Sequence, residues 1–253
     1  FVGDSFTHGA CVKPENNIAG FIENLSKKKV LNFGYIGNGP LIKYATLREY
    51  IKKGYKNVVW FYYEDNDLQD LEKELKNSIL RKYLNDENFL QNLNSKNNQK
   101  KIDNLLNDQI VAKISDDRVL LNKFLKFIKL FYTRYSIFHS SKETSQQIKN
   151  DNEIYNEYKI ILEKTLNLSN QNGSNFIFVY LPEWSRFSSS EFDNTDYFKI
   201  KKIVNDLEIP FLDINEIMQS FENPLSFFPH ELNAHYNEKG YKLVAEHILK
   251  NFN

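Results

Sequence analysis

The chain has 253 residues, of which 41% are apolar and 26% charged, the balance of a folded globular protein and not of a disordered or fibrous one. A chain of this length buries about 70–75% of its unfolded surface, enough for one sizeable core. Lysine plus arginine equals aspartate plus glutamate at 33 each, so no global field draws nucleic acid or anionic lipid, and the lone Cys11 excludes an internal disulfide framework.

In chain order, the sequence opens on Phe1-Val2, which reads as the last two residues of a strand, and so as a fragment or processed chain. Gly3-Asp4-Ser5-Phe6 follows. Helical apolar spacing runs over Ile18 to Leu25, then a β-branched and aromatic run covers Val30 to Phe33. Asn32-Phe33-Gly34-Tyr35-Ile36-Gly37-Asn38-Gly39 forms the next loop, and Leu41 to Ile51 the next helix. Val58 to Tyr63 is a near-continuous apolar run, the pattern of a strand buried on both faces of a parallel sheet. It leads into Glu64-Asp65-Asn66-Asp67.

From about 68 to 150 the strand–helix rhythm stops, and the stretch is too long for one crossover, so it reads as a helical insertion. Its clearest element is Val119 to Tyr135, an apolar stripe opposite Lys123, Lys126, Lys129 and Arg134. The plain reading is a helix packed on the body; a lid or a membrane-surface helix are the sharper ones. Helical spacing returns over Ile154 to Leu168 and Tyr197 to Leu207, with strands at Phe176 to Leu181 and Pro210 to Ile214. An amphipathic helix carrying Leu243, Val244, Ile248 and Leu249 comes last. Strands alternating with helices predict a doubly wound α/β sandwich.

The chemistry-bearing residues gather in loops after the strands, where open α/β sheets bind ligands. Ser5 follows the first strand, and its neighbours are also ordinary helix-capping types. A glycine in the second loop can present an unobstructed N–H and Asn66 in the third a side-chain donor, which a tetrahedral oxyanion needs. His235, in the loop before the last helix, has the one side chain whose ordinary pKa suits it to take a serine proton and return it. Each residue alone has a bland reading as a turn, cap or surface group; the ordered set is specific.

Taken together, Gly3-Asp4-Ser5, Asn32 through Gly37, Asn66-Asp67, and His235 with Asn237 and Gly240 resemble the four short blocks of the SGNH (GDSL-like) hydrolases, over the whole chain apart from the insertion. The resemblance implies a flavodoxin-like three-layer α/β/α sandwich with a mostly parallel five-stranded sheet. It implies Ser5 as nucleophile and His235 as general base. Gly37 N–H, the Asn66 side chain and Ser5 N–H become the oxyanion donors, with Gly34 the alternative glycine.

Two departures stand out. Glu64 occupies the place of the glycine that usually opens the third block, and Leu232 that of the aspartate three residues before the histidine. A Ser5–His235 dyad follows, its imidazole held by a backbone carbonyl or by Glu231. His230, Glu231, His235 and Glu64, Asp65, Asp67 show no standard zinc spacing, no cofactor is implied, and Asp67 and Asp70 have the plainer role of helix caps.

The expected activity is hydrolysis of carboxylic esters, on a small-molecule or glycan substrate. A glycan O-acetyl esterase or O-acetyltransferase, and a non-catalytic relative, are the alternatives. No apolar run reaches the roughly 18 residues that a membrane-spanning helix needs. Cytoplasmic, periplasmic and membrane-anchored locations all stay open.

Overall fold

The computed structural model describes residues 1–115 and 151–251. The elements are α1 (Ser5–His8), α2 (Ile18–Ser26), α3 (Pro40–Tyr50), β1 (Asn57–Tyr63), α4 (Asp67–Glu74), α5 (Ser78–Asn85) and α6 (Lys96–Ser115). After these come α7 (Asp151–Gln171), β2 (Asn175–Leu181), α8 (Ser185–Ser188), α9 (Thr195–Asp206), β3 (Phe211–Asp213), α10 (Ile214–Gln219) and α11 (Glu238–Lys250). Two compact units result, one of residues Phe1–Leu90 with Asn152–Asn253, the other of Gln91–Asp151.

In the first unit β1 pairs with β2, and β2 with β3, all parallel, with Asn57 opposite Asn175 and Phe178 opposite Phe211. Val58, Trp60 and Tyr62 of β1 join one apolar cluster with Phe178 and Tyr180, and alternate residues Val59, Phe61 and Tyr63 join a second with Ile177, Val179 and Leu181. The period of two along each strand sorts them. Residues of α3, α4, α5, α7 and α9 cover the first face, those of α1, α2, α10 and α11 the second. Both faces of a parallel sheet are therefore buried, which is why β1 and β2 read as continuous apolar runs.

The sheet has three regular strands among the described residues, not five. Val2 makes a single parallel bridge to Trp60, through Val2 N–H to Val59 O and Phe61 N–H to Val2 O, each 3.0 Å. On its far side the chain at residues 31–35 bonds Phe1–Gly3: Phe1 N to Leu31 O at 2.8 Å, Phe33 N–H to Phe1 O at 3.0 Å and Tyr35 N–H to Gly3 O at 3.2 Å. Two extended segments thus lie at the positions of the missing strands, with too few hydrogen bonds to form a ladder.

Caps fix the helices around this frame. The Asn17 side chain accepts from Gly20 N–H at 2.8 Å to start α2, Pro40 supplies a preset φ at the start of α3, and Asn237 accepts from Lys239 and Gly240 N–H to start α11. α4 and α5 belong to the first unit, with Leu71, Tyr83 and Leu84 in its core, and the second unit begins at Gln91. The amphipathic stretch Val119 to Tyr135 lies outside the described residues. No described helix is long and apolar enough to cross a membrane.

Candidate active site

The bridge from Val2 to β1 places the following residues at the carboxyl edge of the sheet, and there the chain turns straight into α1. Gly3 allows the turn: a Cβ on it would stand 1.8 Å from Thr7 Oγ1. Asp4 caps α1, its carboxylate accepting from Phe6 N–H at 2.9 Å. Ser5 is the first residue of α1. Gly9 ends the helix in the left-handed region, φ 89, where its N–H and that of Ala10 bond Ser5 O at 3.1 and 3.0 Å.

His235 arrives from the other end of the sequence. The flanking Tyr236 is buried and donates its hydroxyl to Pro182 O at 2.6 Å, while Asn237 N–H bonds Phe227 O at 2.9 Å. So anchored, the His235 imidazole lies 4.6 Å from the Phe6 ring, and its Nε2 stands 2.8 Å from Ser5 Oγ. Burial lowers the His235 pKa below its ordinary value, and the negative charge of Asp4 partly opposes this. The imidazole is accordingly neutral near pH 7, able to accept a proton. The pair has the geometry of a nucleophile and its base.

The second loop is tied to α1. Asn32 donates its side-chain N–H to Thr7 O at 2.8 Å and accepts from Gly34 N–H at 2.9 Å. Gly34 packs against the helix backbone, where a Cβ would stand 2.4 Å from His8 N. Gly37, at φ 81, has open space where a Cβ would be. Gly37 lies at the same sheet edge as Ser5 by chain position, as does Asn66, three residues beyond the end of β1. Asn66 occupies the N-cap position of α4 without capping it, and its Oδ1 is buried without a partner.

Glu231 does not meet His235: its carboxylate accepts from Asn223 Nδ2 at 2.8 Å and its carbonyl from Trp184 Nε1 at 2.9 Å. Leu232, at the place of the expected aspartate, is 63% exposed. The atom recorded beside His235 Nδ1 is Cys11 Sγ, at 3.8 Å. Nothing in the spacing of the sequence marks that contact, which joins residues 224 apart.

Two clusters of buried charge also escape sequence reading. Glu64 forms a buried ion pair with Arg186, whose Nε lies 2.8 Å from Oε2, and also accepts from Tyr180 hydroxyl and Glu183 N–H. Asp67 caps nothing; it is wholly buried and accepts from the Nζ of Lys43, which is 1% exposed and also donates to Phe61 O at 2.9 Å. Burial raises the Asp67 carboxyl to about 8 against the opposing pull of Lys43, with the charge of Asp4 adding to the rise. Asp4 is raised as well, burial again leading. Glu74, also buried, is raised to about 7 by burial against the backbone N–H groups it accepts from and the charge of Lys43; one lysine thus faces three buried carboxyls, and their titration belongs to the set. Asp70, the other expected cap, pairs with Lys73 at 2.9 Å. Among the described residues no three His, Cys, Asp or Glu side chains gather as a metal ion would require.

A cavity of about 550 Å³ lies at the opposite, amino edge of the sheet. Phe1, Leu31, Tyr50 and Val58 line it, and it shares no residue with the Ser5–His235 pair.

No family model matches the chain, and no curated protein does. Among solved structures it is similar to a protein from Desulfitobacterium hafniense DCB-2 assigned to the G-D-S-L family of lipolytic proteins, at 14% identity and a TM-score of 0.51, over 98% of this chain and 95% of that one. The chain shares the α/β fold of that protein, helices packed around a parallel sheet.

Proposed function

We propose that this chain is a serine esterase that hydrolyses carboxylic esters through an acyl-enzyme on Ser5, with His235 as general base. The observation that carries the reading is the 2.8 Å contact between Ser5 Oγ and His235 Nε2 at the carboxyl edge of the sheet. Supporting it are the neutral state that burial favours in the imidazole and the likeness in fold to a protein assigned to a lipolytic family.

Each step follows from these groups. Nε2 takes the Ser5 proton as Oγ attacks the ester carbonyl, and the carbonyl oxygen becomes an oxyanion. Gly37 N–H, Asn66 Nδ2 and Ser5 N–H receive that charge; one such donor is worth about 10²–10³ in kcat. The imidazolium then protonates the departing alkoxide, and a water deprotonated by His235 releases the acid.

The test is turnover of short p-nitrophenyl esters with labelling by a fluorophosphonate. Ser5→Ala should lower kcat by about 10⁴ or more and abolish labelling. Turnover equal to wild type in that variant overturns the reading.

A further inference from the structure

We propose that Cys11 is the positioning residue of His235, its sulfur holding Nδ1 where a triad would place a carboxylate. The proposal rests on the esterase reading and deepens it. When Ser5 Oγ–H donates to Nε2, that nitrogen carries no proton, so the ring proton sits on Nδ1 and requires an acceptor. Cys11 Sγ, at 3.8 Å, is within the longer reach of a sulfur hydrogen bond. Of the neighbours in sequence, Glu231 is bonded to Asn223 and Leu232 has a hydrocarbon side chain that is largely exposed; Cys11 is itself exposed, so water is the acceptor its sulfur competes with.

The loop that carries Cys11 is built to hold it there. It follows α1 directly, its Ala10 N–H bonding Ser5 O at 3.0 Å, and its Ala10 carbonyl accepts from the Tyr241 hydroxyl of α11 at 3.1 Å. These two ties fasten the loop both to the helix of the nucleophile and to the helix that follows His235. Directly after these ties Cys11 adopts φ 71, a left-handed conformation uncommon for a residue with a side chain and maintained only where the surroundings impose it. Ser5 and Cys11 thus reach the two nitrogens of one imidazole from a single short segment. A sulfur acceptor is weaker than a carboxylate, so it orients the ring and fixes its tautomer with little help to the imidazolium that forms.

The experiment uses the full chain. Nitrogen-15 spectra of the imidazoles, with the His235 signals identified by loss in His235→Asn, read the tautomer without any turnover. Wild type should show the Nδ1–H form in excess, and Cys11→Ala should shift His235 toward the Nε2–H form. kcat should fall about tenfold in Cys11→Ala with KM little changed, the scale of one neutral hydrogen bond. Cys11→Ser, closest in size, should lie between, and Cys11→Asp should restore kcat and move its acid limb to higher pH. Cys11→Ala with an unchanged tautomer ratio overturns the proposal, whether kcat falls or not, since a packing role alone would leave the ratio in place. If Ser5→Ala and wild type turn over esters equally, the esterase reading fails, while the tautomer ratio still decides for or against Cys11.

Discussion

Gly34 and Gly37 stand three positions apart in one loop and answer to different constraints. At Gly34 the limit is space, because an added Cβ meets the backbone of Thr7 and His8, which no side-chain rotation can move. At Gly37 space is open and only the left-handed φ resists a side chain, which costs about 1 kcal/mol. Gly34→Ala should therefore displace α1 and lower kcat/KM by at least a hundredfold, while Gly37→Ala should retain activity within about tenfold; steady-state kinetics of both variants checks the contrast. Ser5 and His235 could be picked out as a candidate pair because few residue types can exchange a proton with a hydroxyl, and the structure brings the two to 2.8 Å. Cys11 was not, since the contact depends on two loops meeting from opposite ends of the chain. Glu231 misled for the same reason: closeness in sequence to His235 says nothing of which way a carboxylate points.

The ends of β1 and β2 are joined by a feature that hydropathy reading would place at the surface. Glu64 continues from β1 and Arg186 stands on α8, just after β2, both nearly fully buried. Tyr180, Glu183 N–H and Asn194 complete their hydrogen bonding. Removing one member leaves the other charge buried and alone. Arg186→Met should cost roughly 3–5 kcal/mol of stability, read as a lowered denaturation midpoint. Asn66, two residues beyond Glu64, should shift with it and take ester turnover down. β1 and β2 themselves were legible because burial on both faces writes itself as unbroken apolar sequence. The run Val30 to Phe33, interrupted by Asn32, forms no regular strand: none of its residues is buried, Leu31 is 51% exposed, and its backbone pairs with the short segment Phe1–Gly3. A strand needs a neighbour of matching length as well as apolar residues.

Across the molecule, the buried group of Asp4, Lys43 and Asp67 ties stability to pH. Asp67 holds its proton in the folded state up to about 8, whereas in the unfolded chain it ionises near 3.8. The folded state binds more protons in that window, so stability falls as pH rises through it, by at most about 1.4 kcal/mol per pH unit for one proton. Urea midpoints should drop between pH 6 and pH 8 in wild type and less steeply in Asp67→Asn, where Glu74, raised to about 7, carries the remaining slope; equal slopes would count against the assignment. Such a cluster is invisible in sequence because lysine and aspartate are read as solvent-facing, and here both serve the interior.

The two atoms proposed to exchange the proton belong to residues 230 positions apart, and β1 and β2 pair across 118 residues, Asn57 against Asn175. Contacts of such long range form slowly, because the loop must be closed before any pairing rewards it. During synthesis Ser5 would emerge early and wait, with no base beside it, until the segment carrying His235 has left the ribosome and folded against it. Reactivity toward a fluorophosphonate is therefore expected to appear late and all at once, and a nascent chain stopped before residue 235 should carry an inert serine.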